Sequence, residues 1–513
     1  MSAVPNVEIG GIAIDSRQVK AGDLFVAHRG SSADGHAFIA DAISRGAAAV
    51  AGEKDAAGFP QPYVQLQDAR RALSWIAAAF YGWPARELTV IGVTGTDGKT
   101  TTANLIYQIL VTAGVKAGLI STVNAVIGDQ VVDTGFHVTT PDAPDVQKYL
   151  RSMVDAGLTH AILETTSHGW AQHRVDACEF DIGVVTNITH EHLDEHGSFE
   201  NYREAKGRLF SALALTADKA HGNPRLAVLN RDDNSFEFLD SLVAVNKVSY
   251  GRGAGADIRA AEVSEESAGI SFTAEGAGFR VAVKSPLLGY YNVSNCLAAL
   301  GVTIMGIGVD PSIAAGGIAR LGGVQGRMER IDIGQDFSAY VDFAHTPNAL
   351  KVTLETARTI LDRSGRQGGH LIAVFGSAGL RDRAKRRMMA EISADLADFT
   401  ILTAEDPRTE SLDAILAEMA RAAASRSGRE GKSYWRIPDR GEAIKYAIGM
   451  AGPGDVVLAC GKGHEQSMCF GTTEYPWDDR TAIRAALAER LGIAGPIMPY
   501  LPTQDQTEAE WRR

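Results

Sequence analysis

The run Val90-Ile-Gly-Val-Thr-Gly-Thr-Asp-Gly-Lys-Thr-Thr-Thr102 constrains this chain more than any other segment. An apolar, strand-like stretch breaks into a loop bracketed by Gly95 and Gly98, and a helical pattern opens over residues 102–110. Strand, glycine loop and helix in that order make a phosphate cradle. The glycines let backbone N–H groups turn inward, the helix start adds partial positive charge, Lys99 adds a full one, and Thr100 can reach Mg²⁺. The predicted ligand is a nucleoside triphosphate. The spacing Gly-x-x-Gly-Lys-Thr is tighter than the general Gly-x-x-x-x-Gly-Lys-Thr pattern, because Val93 stands where the first glycine would be.

Such a loop belongs to an α/β sheet, and 513 residues are too many for one core. The pattern predicts three α/β domains. Residues 1–83 form a small unit of short apolar runs and helical stretches, ended by Trp83-Pro84. Residues 84–323 read as a mainly parallel sheet carrying the nucleotide loop, with strands around 117–120, 161–163, 182–185 and 226–229. Residues 324–494 form a third α/β unit with strands around 339–342, 371–375, 399–402 and 455–459. The tail, 495–513, is rich in Pro, Gln, Thr and Glu and reads as loosely ordered. No apolar run approaches the ~20 residues that span a bilayer, and no leader pattern opens the chain, so a cytoplasmic monomer without membrane insertion is expected. A formal net charge of −12 argues against a nucleic-acid partner. Four cysteines, none in a Cys-x-x-Cys pair, are expected to be buried thiols.

Four further clusters carry candidate chemistry. In the first, Glu164 to Arg174, Glu164 can hold a metal and Arg174 an anion, or Thr165, Thr166 and Ser167 simply cap a helix. The second holds His190, His192 and His196 before a helix starting at Ser198. Zinc is the weaker reading, because a helix puts only the last two on one face. His192 with Glu164 as Mg²⁺ ligands, or a solvated acidic loop, are the others. The third, a glycine turn followed by the basic run 381–387, suits a bound anion, since cations at a helix start oppose its dipole, but also suits a basic surface helix. In the fourth, Arg408 and Glu465 offer opposite charges for a zwitterion, or form a surface ion pair.

Taken together these segments resemble the Mur ligase family, most closely its MurE type. The likeness runs from about residue 10 to 490. It rests on Asp15-Ser-Arg17, Gly22-Asp-Leu-Phe-Val-Ala27, Asp34-Gly-His36, Gly95-Thr-Asp-Gly-Lys-Thr100, Thr139-Thr-Pro-Asp142, Ser167-His168 with Gln172-His-Arg174, Asn187 to Asp194, Glu204-Ala-Lys206, Gly326-Arg-Met-Glu329, Ala344-His-Thr-Pro347, Arg381-Asp-Arg383, Asp406-Pro-Arg408 and Gly461-Lys-Gly-His-Glu465.

The resemblance implies an N-terminal UDP-binding domain, a central ATPase domain and a C-terminal Rossmann-like domain that delivers an amino acid. It implies ATP and Mg²⁺, a UDP-muramoyl-dipeptide and a free amino acid as partners, and an acyl-phosphate route to a new amide. Ser16, Ser31, Ser32 and Ala33 would contact the uridine part, and Thr139, Thr140, Thr166, Gln172 and Arg174 the sugar-peptide. Gly95, Thr96, Asp97, Gly98, Lys99, Thr100 and Thr101 would hold ATP, with Asn292, Asn295, Arg327 and His345. Thr100, Glu164, His192 and Lys206 would hold metal, Lys206 as a carbamate, since an ammonium beside Mg²⁺ is repelled. Arg381, Glu405, Asp406, Pro407, Arg408, Gly461 and Glu465 would bind the amino acid. Three departures touch these sites: Asp97 replaces the usual Asn, Thr165-Thr166 replace the usual Val-Ser, and Glu405-Asp406 replaces Asp-Asn. Arg408 and Arg381 suit the second carboxylate of meso-diaminopimelate, whereas Asp406 suits the distal ammonium of lysine or ornithine. A polyglutamylating relative would lack the Asp15-Ser-Arg17 unit, and a non-catalytic nucleotide switch would not need Lys206, Arg381 and Glu465.

Overall fold

The computed structural model describes residues 6–30, 33–55, 62–132, 140–189, 196–266, 269–363 and 368–505. Three α/β domains follow one another, each built on its own main sheet. The first sheet has four parallel strands in chain order, Gly11–Ala13, Asp23–Ala27, Ala49–Gly52 and Tyr63–Gln65. Its helix Ala69–Phe80, capped by Asp68, packs on the helix Ala143–Asp155 of the next domain, and Ser74 accepts a hydrogen bond from the Ala177 N–H.

The central sheet has eleven strands. Its parallel middle places Thr89–Thr94 between Ile182–Val185 and His160–Glu164, so the first strand of the domain lies inside the sheet. All three are buried along their length, which is why they read as unbroken apolar runs. Both neighbours come later in the chain, so the carboxyl end of Thr89–Thr94 opens at a topological switch point, where ligands bind open α/β sheets.

The sheet is less purely parallel than its pattern predicts. Antiparallel pairings extend both ends: Ala125–Ile127 with Gln130–Val132 at one, and at the other Ile258–Glu266, itself parallel to Asn246–Gly251, followed by Gly269–Gly276 and Phe279–Ser285. One face of Ile258–Glu266 is solvated, so half-buried and exposed residues largely alternate after the buried Ile258 and no apolar run marks the strand.

The third sheet has six strands, Glu329–Ile331 being the only antiparallel one, with Val456–Cys460 inserted between Ser338–Asp342 and Leu371–Phe375. A short ribbon, Ser467–Phe470 and Thr473–Pro476, packs beside it. The described part of the tail, residues 497–505, corrects an expectation. Leu501 is fully buried, Pro502–Asp505 form a turn of 3₁₀ helix, and the Thr503 hydroxyl donates to Asp439 at 2.6 Å. One apolar anchor and one capped acid therefore hold a segment whose composition reads as loose. All four cysteines are buried free thiols, as expected.

Candidate active site

The loop after Thr89–Thr94 borders a cleft of about 890 Å³, closed on its far side by the C-terminal domain. Two glycines shape the loop. At Gly95 (φ +146°) a Cβ would lie 1.8 Å from the Thr186 hydroxyl, and at Gly98 (φ +82°) one would lie 2.4 Å from Asn295 Oδ1. No L side chain fits either position. Gly98 starts the helix Lys99–Thr112 without a side-chain cap, so its first turn faces the cleft with the partial positive charge of a helix start. Lys99 folds back to donate to the Thr96 carbonyl at 2.8 Å.

The next strand ends brace this loop. Asn187 accepts from the Asp97 N–H and donates to the Asp97 carbonyl, both at 3.0 Å, while the Thr186 hydroxyl donates to that carbonyl at 2.6 Å. The Asp97 carboxylate accepts from Asn348 of the C-terminal domain at 3.2 Å. Its extra charge relative to the usual asparagine therefore meets a donor from another domain.

Glu164 ends the neighbouring strand, 2% exposed, and accepts from the Thr100 hydroxyl at 3.0 and 3.1 Å and from the Thr122 N–H at 3.0 Å. Among the described residues no cationic side chain pairs with it. A buried carboxylate beside a hydroxyl, without a counter-charge, is an oxygen donor set that fits a divalent cation. Arg327, from the C-terminal domain, donates to that same Thr100 hydroxyl at 3.1 Å and lies over the Phe343 ring at 4.6 Å. Lys206 is 2% exposed, donates to the Gly95 carbonyl at 2.5 Å and lies 4.6 Å over the Tyr202 ring. Asn292 and Asn295 are buried and bonded to each other at 2.7 Å on the cleft wall, where His345 also stands.

Beside Glu164, whose carbonyl accepts from the Thr140 hydroxyl at 3.3 Å, Thr140 and Thr166 share a hydroxyl bond at 3.1 Å, and Arg174 donates to the Thr140 carbonyl at 2.6 Å. Burial pulls the Arg174 guanidinium below its usual range, partly offset by Asp142, whose carboxylate is 3.0 Å away. Thr166 also caps the helix Ser167–Ala171, so capping and lining coexist. Gln172 contacts the His168 ring at 2.5 Å. Ser16 and Ala33 follow two parallel strand ends of the first domain and do not line the cleft. Ser31, Ser32, Thr139, His190 and His192 lie outside the described residues. His196 bonds the Ser167 hydroxyl at 3.1 Å.

A second polar cluster sits at strand ends of the C-terminal domain. Lys462, its side chain fully buried, is 3.0 Å from Asp406 and 2.5 Å from Glu465. Burial works against its charge, but Glu465 and Asp406 more than offset this and hold its proton beyond the ordinary lysine range. Glu405 is 9% exposed and accepts no hydrogen bond from the described residues, beside Gly461. Arg408, half-buried, has no ion-pair partner among the described residues. Pro407 is buried between them.

Burial, then Asp406, lifts the Glu405 carboxyl to about 7 from an unfolded value of 4.5. The folded state thus binds the proton more tightly, and stability falls as pH rises from about 4.5 to 7 and levels off above. Denaturation across this range is expected to show that the advantage of Glu405→Gln over the wild type grows through that window. A constant difference would contradict the assignment.

The basic run after the glycine turn at Gly376 is mostly structural. Arg386 is fully buried against Glu410 and Glu418, Arg387 pairs with Glu391, and Asp382 caps the helix Arg383–Leu396. Of this run only Arg381 lines the cleft. Asn187, already inside a segment that carries the resemblance, lines the site without an assigned role, and Phe343 and Asn348 line it although only their neighbours carry chemical signals. The sequence mark of these last two is position alone, beyond a strand end and beside His345.

Comparison with known proteins agrees with this arrangement. Residues 8–81 match the catalytic domain of the Mur ligase family, 93–303 the Mur ligase middle domain, and 326–463 the Mur ligase glutamate ligase domain. The chain belongs to the Mur ligase family. A UDP-N-acetylmuramyl-tripeptide synthetase from Roseiflexus sp. (strain RS-1) is 44% identical over 96% of both chains. A UDP-N-acetylmuramoyl-L-alanyl-D-glutamate--2,6-diaminopimelate ligase from Geobacillus kaustophilus is 39% identical over 94% of this chain and 96% of its own. A solved structure of a ligase with that same name shares 32% identity and a TM-score of 0.63 over 94% of this chain and 95% of its own. Members of this family are ATP-dependent, ADP-forming ligases, and so is this protein.

Proposed function

We propose that this Mur ligase couples ATP cleavage to addition of an amino acid, meso-diaminopimelate, to the glutamate of UDP-N-acetylmuramoyl-L-alanyl-D-glutamate in the cytoplasm. The observation that carries the reading is the convergence of Lys99, Glu164 and Arg174 on one cleft that the C-terminal domain reaches through Arg327. Lys99 and the helix start would hold the phosphates, with Thr96, Thr101, Asn292, Asn295 and His345 around the nucleotide. Arg174, Thr140, Thr166 and Gln172 would hold the muramoyl peptide, and Ser16 with Ala33 the uridine part.

The glutamate carboxylate oxygen attacks the γ-phosphorus, the bond to the β,γ-bridging oxygen breaks, and ADP leaves. Lys99 and Arg327 face the charge that spreads over the transferring oxygens. The amine then attacks the acyl carbon, its proton is lost, and the C–O bond to phosphate breaks to leave an amide. Thr100, Glu164 and a carbamylated Lys206 would hold Mg²⁺, which supplies further charge neutralisation. His192 would complete that set.

Diaminopimelate is favoured by the unpaired Arg408, whose guanidinium suits a second carboxylate, and by the substrate that the Geobacillus relative's name gives. Lysine or ornithine would leave Arg408 without a counter-ion. The test is phosphate release with each substrate omitted in turn: turnover is expected only with the UDP-muramoyl acceptor and an amino acid together. Equal turnover with ATP alone would sink the ligase reading.

The carbamate has its own prediction. Lys206→Ala is expected to lower kcat on the order of a hundredfold, the scale of a lost metal ligand, with partial recovery in acetate, whose oxygens can replace the carbamate. An activity that acetate leaves unchanged would argue against an oxygen ligand at this position.

A further inference from the structure

Asp406 stands where the resemblance leads one to expect a neutral amide, and an extra acid beside Arg408 is an electrostatic puzzle. Its surroundings resolve it. One Asp406 oxygen takes both the Lys462 ammonium and the Cys469 N–H, each at 3.0 Å. The ribbon that supplies Cys469 also holds Arg408, whose N–H donates to the Cys469 carbonyl at 3.1 Å and whose carbonyl accepts from the Gly471 N–H at 2.8 Å. Asp406 and Arg408 both adopt left-handed backbone, φ +38° and +54°, a conformation non-glycine residues keep only when the surroundings enforce it. The segment is thus fixed around a buried lysine.

We propose that Lys462 is a specificity-determining positioning residue: by cancelling the charge of Asp406 it keeps the amino-acid site matched to a substrate whose far end carries both an ammonium and a carboxylate. The charge count supports this. Asp406 and Glu465 are the two anions of the cluster, and Lys462 and Arg408 its two cations, so the fixed charge is balanced. Glu405 lies beside this cluster, where burial and Asp406 push it toward its neutral form, and Arg440 behind it is paired with Asp479. Arg381 is exposed at the cleft edge. A balanced site suits a zwitterionic end group. Without Lys462 the same site would hold one net negative charge, which suits a lone distal ammonium.

The inference deepens the diaminopimelate reading and is tested separately from it, by the change in preference on mutation and not by the preference itself. The measured quantity is the ratio of kcat/KM for meso-diaminopimelate to that for L-lysine, from phosphate release, with KM for ATP as a check on the nucleotide site. Lys462→Met is expected to lower the ratio at least tenfold. Asp406→Asn should move it the other way, several-fold up, because it leaves one net positive charge, and the double variant should return close to the wild type. If Lys462→Met does not fold, Asp406→Asn decides alone: a ratio that falls or stays level overturns the proposal. Shifts of both single variants in one direction also overturn it. A wild type that prefers L-lysine would instead contradict the diaminopimelate reading, while opposite shifts would still uphold the role of Lys462.

Discussion

Lys99→Ala is expected to lower kcat about a thousandfold, at the upper end of what removing one preorganised group facing a transition-state charge costs. The structure lets this loss be read as chemistry. Lys99 is part-exposed, and its one side-chain hydrogen bond among the described residues, to the Thr96 carbonyl, closes a local turn that Gly95, Gly98 and Asn187 already define. The loop should keep its shape, so the KM for the muramoyl acceptor, proposed to be held by Arg174, should change little. ADP release under saturating substrates measures the effect. A loss below tenfold would mean that the ammonium does not face the transferring phosphoryl group.

Arg440→Met is expected to destabilise the protein by about 3–5 kcal/mol, the cost of leaving one member of a buried ion pair uncompensated. Arg440 and Asp479 are both fully buried and joined by two bonds of 2.7 and 2.6 Å, and Trp477 donates to the same carboxylate at 2.8 Å. Methionine fills much of the volume but strands the Asp479 charge. Arg440 also donates to the carbonyls of Ala404 and Cys460, which sit directly before the two loops that carry Glu405 and Glu465. The KM for the amino acid should therefore rise more than that for ATP. Denaturant unfolding reads the first effect and steady-state kinetics the second. Stability within 1 kcal/mol of the wild type, roughly the size of a surface ion pair, would contradict the first.

How much of this was legible in the chain depends on whether the determinants are local. The nucleotide loop is, because Gly95, Gly98, Lys99 and Thr100 perform one task within a single turn. The buried parallel strands are too, since burial on both faces writes an apolar run. The strands over 258–285 are not, since one face of the first is solvated and its alternating pattern lacks that mark.

Charges are legible as types but not as partners. The basic run 381–387 suggested an anion site, yet Arg386 is neutralised by Glu410 and Glu418, 24 and 32 residues away. Asp406 suggested a cation ligand, and its own cation is Lys462, 56 residues away. Such pairings exist only once the sheet has brought strand ends together. The tail failed for a related reason: one leucine in a polar segment gives no periodicity, but Leu501 finds a hole in the C-terminal domain.

A triphosphate and the acceptor's carboxylate are proposed to meet in the cleft that Lys99 and Arg174 both line. Oxygen-18 placed in the acceptor's glutamate side-chain carboxylate follows that meeting directly. One labelled oxygen is predicted to leave with inorganic phosphate and the other to stay in the new amide, at one transfer per turnover. Product formed with unlabelled phosphate would show that the carboxylate never attacked the γ-phosphate, and would contradict the account.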